Sequence, residues 1–174
     1  MNDLRKIRFP EATRAATVQP PVIPIVAEWT RDNPGTISMG QGVVSWGPPE
    51  NAYEGIDRFR EDVENHKYKL AQGIPALLEL IGEKLKDENG IHVDPKDRVF
   101  VTAGANMAFI NAVLAIADVG DEIILPAPFY FNHEMAVTML GCTPIVAPTD
   151  KNHQLDLDAL RLAITERSRA IVTI

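Results

Sequence analysis

Four stretches carry residue types and spacings that could hold or transform a ligand. The first is Thr102-Ala-Gly-Ala-Asn-Met107, where a short apolar run gives way to a helical pattern. Small residues let a backbone approach a ligand closely, and the free N–H groups of a helix N-terminus attract phosphate. A tight turn with an asparagine near a cap, binding nothing, accounts for the same residues equally well. The second is Pro126-Ala-Pro-Phe-Tyr-Phe131, directly after another apolar run. Rings at the carboxyl edge of a sheet could stack on a planar group, or could simply cover the sheet's end. The third, Gly40 to Pro49, includes Gly42, which could bring a backbone N–H up to a carboxylate or only turn the chain. The fourth, Lys67 to Gly73, offers the Tyr68 phenol as a donor, or leaves it an exposed tyrosine between two helices. The first two stretches fall at one edge of the expected sheet, and two such coincidences count for more than one.

Other chemistry finds no support. His66, His92, His133 and His153 are scattered among polar neighbours without metal-ligand spacing. Cys142 follows Gly141 with no basic partner nearby, which reads as an inert thiol. Asp57, Glu61, Asp62 and Glu64 read as a solvated helix face, and neither a Walker-type nor a dinucleotide glycine pattern occurs. A net charge of -7 gives no electrostatic reason to expect nucleic acid or an anionic membrane surface. A lone cysteine leaves no intramolecular disulfide and suits a reducing compartment. The first dozen residues have no signal-peptide pattern, and nothing approaches the roughly 20 apolar residues that span a bilayer. The expectation is a soluble, cytoplasmic protein.

The elements that must position these residues follow from periodicity. Residues 1–46 are irregular and proline-rich, apart from a helix expected near 23–31, and read as an arm or small-domain segment. Residues 47–174 are regular. Ile56, Phe59 and Val63 share a helical face over 51–63, and Pro75 opens a helix that Asn89-Gly90 ends. Strands are expected at 98–102, 122–125, 143–147 and from 169. Helices are expected at 106–117, 130–140 and 157–165, the last capped by Asp156. Near-continuous apolar strands alternating with helices predict an α/β fold, a parallel-type sheet flanked by helices, whose ligands bind beyond the carboxyl ends of the strands. The run Ile171-Val-Thr-Ile174 has the character of a buried strand, where domains rarely end, so the sequence predicts a longer polypeptide and a marginally stable fragment.

In order and spacing, these stretches resemble the first half of a class I/II pyridoxal-phosphate aminotransferase of fold type I. The resemblance runs over about residues 22–174. It rests on Gly40 to Pro49, on Tyr68 to Leu77, on Val101-Thr-Ala-Gly-Ala-Asn-Met-Ala108, and on Gly120-Asp-Glu-Ile-Ile-Leu-Pro-Ala-Pro-Phe-Tyr130. It implies an arm followed by an incomplete large domain that binds pyridoxal 5'-phosphate, with an amino acid and a 2-oxo acid as substrates. Residue by residue, it implies that Gly104, Ala105 and Asn106 form the phosphate turn and that Tyr130 stacks on the pyridine ring. It implies that Gly42 meets the substrate carboxylate through its N–H. Tyr68 matches the tyrosine that reaches the phosphate of a neighbouring subunit, which implies a homodimer.

The resemblance also implies residues that this stretch does not contain: an Asn-Pro-x-x-Pro-x-Gly loop, the aspartate that pairs with the pyridine nitrogen, the Schiff-base lysine and the arginine that grips the substrate. Lys6, Lys67, Lys69, Lys84, Lys86, Lys96 and Lys151 match no Schiff-base motif, so no catalytic residue is assigned and the 174 residues alone are expected to be inactive. Two other activities stay open from the sequence. One is a related lyase or synthase of the same fold; the other is a non-catalytic phosphate-binding α/β module.

Overall fold

The computed structural model describes residues 12–174 except Gln41 and Val43. The segment read for a signal peptide, Lys6 within it, and the middle residue of the Gly40–Gly42 turn therefore lie outside the described residues. The chain divides into two compact units, one of Thr102–Ile174 with the described part of Met1–Val22, the other of Ile23–Val101.

The second unit is helical. It holds α2 (Val22–Asp32, beginning at the boundary), α3 (Glu50–Glu61), a 3-10 turn over Val63–His66, α4 (Pro75–Asn89) and α5 (Pro95–Arg98). Helix α4 starts and stops where its sequence requires. Pro75 occupies the first turn, where its missing N–H costs nothing. Gly90 takes a left-handed φ of 67°, donating to Lys86 O while Ile91 donates to Leu85 O. The strand expected over 98–102 does not form, and its first residue, Arg98, ends helix α5. Instead Pro95 at the first turn and the Asp94 carboxylate, which accepts from Lys96 N at 3.0 Å, close a helical turn. Val99 beyond it is extended and buried, and Val101 donates to Gln72 O rather than to a strand ladder.

The first unit contains α1 (Thr13–Thr17), α6 (Ala105–Ile116), β1 (Glu122–Ala127), α7 (Phe131–Met139), β2 (Thr143–Pro148), α8 (Leu157–Ala163) and β3 (Ser168–Ile171). Its sheet runs β2-β1-β3, with both pairings parallel. The central strand is buried on both faces, which is why Ile123, Ile124 and Leu125 are apolar without alternation. Ile123 and Leu125 point to one face and pack with Val113 of α6, Val137 of α7 and Cys142. Ile124 points to the other, with Ala147 and Leu160 of α8. The chain passes from β1 outward to β2 through α7, then back across β1 to β3 through α8. Connections of one hand that reverse direction must carry their helices on opposite faces, as α7 and α8 do. The Asp156 cap on α8 forms as expected, its carboxylate accepting from Asp158 N and Ala159 N.

Candidate functional site

The N-termini of α6 and α7 meet in the first unit. Helix α6 begins at a turn in which Gly104 has φ 86° and ψ 169°, a region that only glycine enters without strain. Thr102 Oγ1 donates to Gly104 O at 3.0 Å, and Gly104 N donates to Thr102 O at 2.8 Å, so the turn is tied from both sides. No side chain caps α6. The first N–H groups of a helix have no partner inside it, and here they open onto an exposed surface formed by Gly104, Ala105 and Asn106. An added Cβ at Gly104 would meet nothing within 4 Å, so there is room beside the backbone for a ligand.

Strand β1 delivers its carboxyl end to Tyr130, the residue preceding α7, after a cis Ala127–Pro128 peptide. Tyr130 keeps 41% of its surface exposed. Its ring stands edge-on to Phe131 at 5.1 Å and to His133 at 5.4 Å. His133 lies against Phe109 of α6 at 4.2 Å between ring centroids, and Asn132 Nδ2 donates to Tyr130 Oη at 2.7 Å. Burial holds the His133 imidazole below its ordinary pKa, and its buried Nδ1 meets no hydrogen-bond partner among the described residues. Asn106 and Asn132 face a common cavity of about 220 Å³, lined further by Phe109, Ile110 and the α7 residues Met135, Ala136 and Met139.

Of the residues singled out by sequence, Gly104, Ala105 and Asn106 stand at the start of α6 and Tyr130 at the start of α7, two helices that pack together. Gly42 and Tyr68 belong to the other unit. Gly42 is exposed and an added Cβ there would meet nothing within 4 Å. Tyr68 is wholly exposed between the 3-10 turn and α4. Phe109, Asn132 and His133 were not singled out for this site. The signal for His133 was its place three residues after Tyr130 at a helix start, a spacing that stacks side chains on one face.

The donor set suits a phosphate monoester attached to a flat ring: uncapped helix N–H groups, a glycine turn with open space, and an exposed phenol ring linked to α6 through His133 and Phe109. Among the described residues no group of three or more His, Cys, Asp or Glu could hold a metal ion. Cys142 is buried, donates to Asp118 O, and has its pKa raised by desolvation and by the charges of Asp121 and Asp118, which leaves the thiol unreactive. No described helix is long and apolar enough to cross a membrane.

Comparison with known proteins identifies the family. Residues 34–174 match the family described as Aminotransferase class I and II. An aromatic aminotransferase of Arabidopsis thaliana is 37% identical over 144 residues, covering 82% of this chain and 35% of that protein. An aspartate aminotransferase of Pyrococcus abyssi is 32% identical over 138 residues, covering 78% of this chain and 35% of that protein. The solved structure of N-succinyldiaminopimelate aminotransferase from Mycobacterium tuberculosis superposes with a TM-score of 0.80 at 30% identity, over 93% of this chain and 42% of that one. The chain therefore spans 35% of the length of each of these two curated relatives.

Proposed function

The chain belongs to the class I and II aminotransferase family, and on that premise we propose that it forms the phosphate-holding part of a pyridoxal-phosphate enzyme. That enzyme moves an amino group between an amino acid and a 2-oxo acid. The observation that carries the reading is the uncapped start of α6 beside the exposed ring of Tyr130. When bound, pyridoxal phosphate supplies an aldehyde and an electron-accepting pyridine ring.

The chain's own residues bind and orient. The free N–H groups of Ala105 and Asn106 would hold the phosphate, helped by the positive end of the α6 dipole, while Gly104, whose own N–H is tied to Thr102 O, shapes the turn that exposes them. Tyr130 lies over one face of the pyridine and keeps water from it. Gly42 offers its N–H to the substrate carboxylate. Tyr68 extends to the phosphate in a second copy, which makes the working unit a homodimer. A fully exposed tyrosine suits such a reach, since an aromatic surface left to water favours a partner. On this reading residues 1–46 are the arm or small-domain segment and 47–174 the start of the cofactor-binding domain. The lone, buried cysteine suits a reducing cytoplasm.

The test is a titration of the protein carrying this chain, freed of cofactor, with inorganic phosphate and then with pyridoxal phosphate, followed by amide resonances. The Gly104, Ala105 and Asn106 signals are expected to move first with both, and the Tyr130 ring signals with pyridoxal phosphate alone. Saturable binding that leaves all four residues unmoved would overturn the reading.

A further inference from the structure

Tyr130 is held by more than its backbone. A ring that is 41% exposed is packed over only part of its surface, and its second torsion is soft. Besides the edge-on contact with Phe131 at 5.1 Å, two contacts fix it. Asn132 Nδ2 donates to Tyr130 Oη across 2.7 Å, at the far end of the side chain where leverage over ring rotation is greatest. His133 meets the ring edge-on at 5.4 Å with planes 87° apart. His133 is itself braced on Phe109 of α6, at 4.2 Å. Asn132 is half-buried and shares the 220 Å³ cavity with Asn106 at the start of α6. The amide therefore links the ring to the cavity that Asn106 also lines.

We infer that Asn132 is a positioning residue: by holding the Tyr130 hydroxyl it sets the plane in which the phenol meets the cofactor ring. The inference rests on the reading of Tyr130 as the stacking residue. A stacked pair gains most when the ring is already oriented before the ligand arrives, because no rotamer freedom is then lost on binding. A neutral hydrogen bond of this kind is worth about threefold to tenfold in an equilibrium constant.

The experiment has two arms, both on the protein that carries this chain. Without cofactor, tyrosine labelled at Cζ for its shift and at the Cε positions for ring flipping reports Tyr130 directly. Asn132→Ala is expected to shift that signal and to speed ring flipping, and Asn132→Asp, which can accept from the phenol O–H, to restore slow flipping. With pyridoxal phosphate, Asn132→Ala is expected to weaken binding about threefold to tenfold and to change the visible circular dichroism of the bound cofactor. In a Tyr130→Phe background, which lacks the hydroxyl, the same substitution is expected to add nothing. An equal effect of Asn132→Ala in both backgrounds overturns the inference, as does no effect in either arm. If Tyr130→Ala leaves affinity and dichroism unchanged, the stacking reading itself fails. Should Tyr130→Ala abolish the dichroism while Asn132→Ala leaves it intact, only the inference fails.

Discussion

Arg169 Nε donates to Asp121 Oδ2 across 2.8 Å, joining the start of β3 to the residue before β1. The Asp121 carboxylate also accepts from Asp118 N at 3.0 Å. The Asp118 backbone and then Arg169 hold its pKa below the ordinary carboxylate value. A depressed folded pKa contributes stability that is complete above the unfolded value, near 3.9, and is lost as pH falls through the folded one. Urea midpoints measured against pH should therefore separate wild type from Arg169→Ala at neutral pH. The two curves should converge once pH has fallen through the depressed folded value, where Asp121 is protonated in both proteins. Curves with the same shape at every pH, separated by no pH-dependent difference, would contradict the assignment.

His133 gives a second titration, with its sign set by burial. Desolvation favours the neutral imidazole, so the folded protein binds its proton less readily than the unfolded chain does. The associated stability is present above the unfolded value of about 6.5 and declines as pH falls from there through the folded pKa. Ring-proton resonances should give His133 a midpoint below 6.5. His133→Phe, which keeps the contact with Phe109, should flatten the fall in stability over that interval.

These two residues also mark what a linear reading of the sequence reaches. The helix over 75–89, the cap at Asp156 and the two-sided burial of Ile123 to Leu125 were legible because each is a local rule: proline first, glycine last, a carboxylate at the N-cap, an unbroken apolar run. The strand expected over 98–102 was not, because Val99 and Val101 have strand-like side chains but no neighbouring ladder among the described residues, and Asp94-Pro95 starts a helical turn ahead of them. The pairing of Phe109 with His133 joins residues 24 apart in sequence, and only the packing of α6 against α7 brings them together.

Core substitutions should separate the two faces of β1. Leu125 is fully buried against α6 and α7, so Leu125→Ala should cost about 2–5 kcal/mol by denaturant unfolding. Ile124 is equally buried on the α8 face, and Ile124→Val removes one methylene for about 0.5–1.5 kcal/mol. Since the side chains point to opposite faces, the double variant should be additive within about 0.5 kcal/mol.

The lysines of this chain are expected not to carry the cofactor covalently. Among the described residues, Lys67 and Lys84 pair with Glu64 and Glu88, and none of these lysines lines the cavity at the α6 and α7 N-termini. After borohydride reduction of the protein with pyridoxal phosphate, peptide mapping should find no stoichiometric label on Lys67, Lys69, Lys84, Lys86, Lys96 or Lys151. One of them labelled to completion would refute this.

Gly104→Ala tests the turn that opens α6. At φ 86° and ψ 169° an L-residue is strained by about 1–3 kcal/mol, and the strain is all in the backbone because the new methyl meets nothing within 4 Å. The variant has two ways to respond. If the turn keeps its shape, the N–H groups stay aimed outward and the strain appears as lost stability. If the turn relaxes to a negative φ, stability recovers but the first N–H groups of α6 swing away, and phosphate affinity falls instead. Denaturant unfolding and phosphate titration of the same preparation should show a deficit in at least one, and the larger the loss in one, the smaller in the other. Asn106→Ala is the control, since it removes a side chain while leaving the backbone donors in place, and should leave phosphate affinity within about twofold of wild type. A Gly104→Ala protein with native stability and native phosphate affinity would mean that the strained turn serves neither the fold nor the anion.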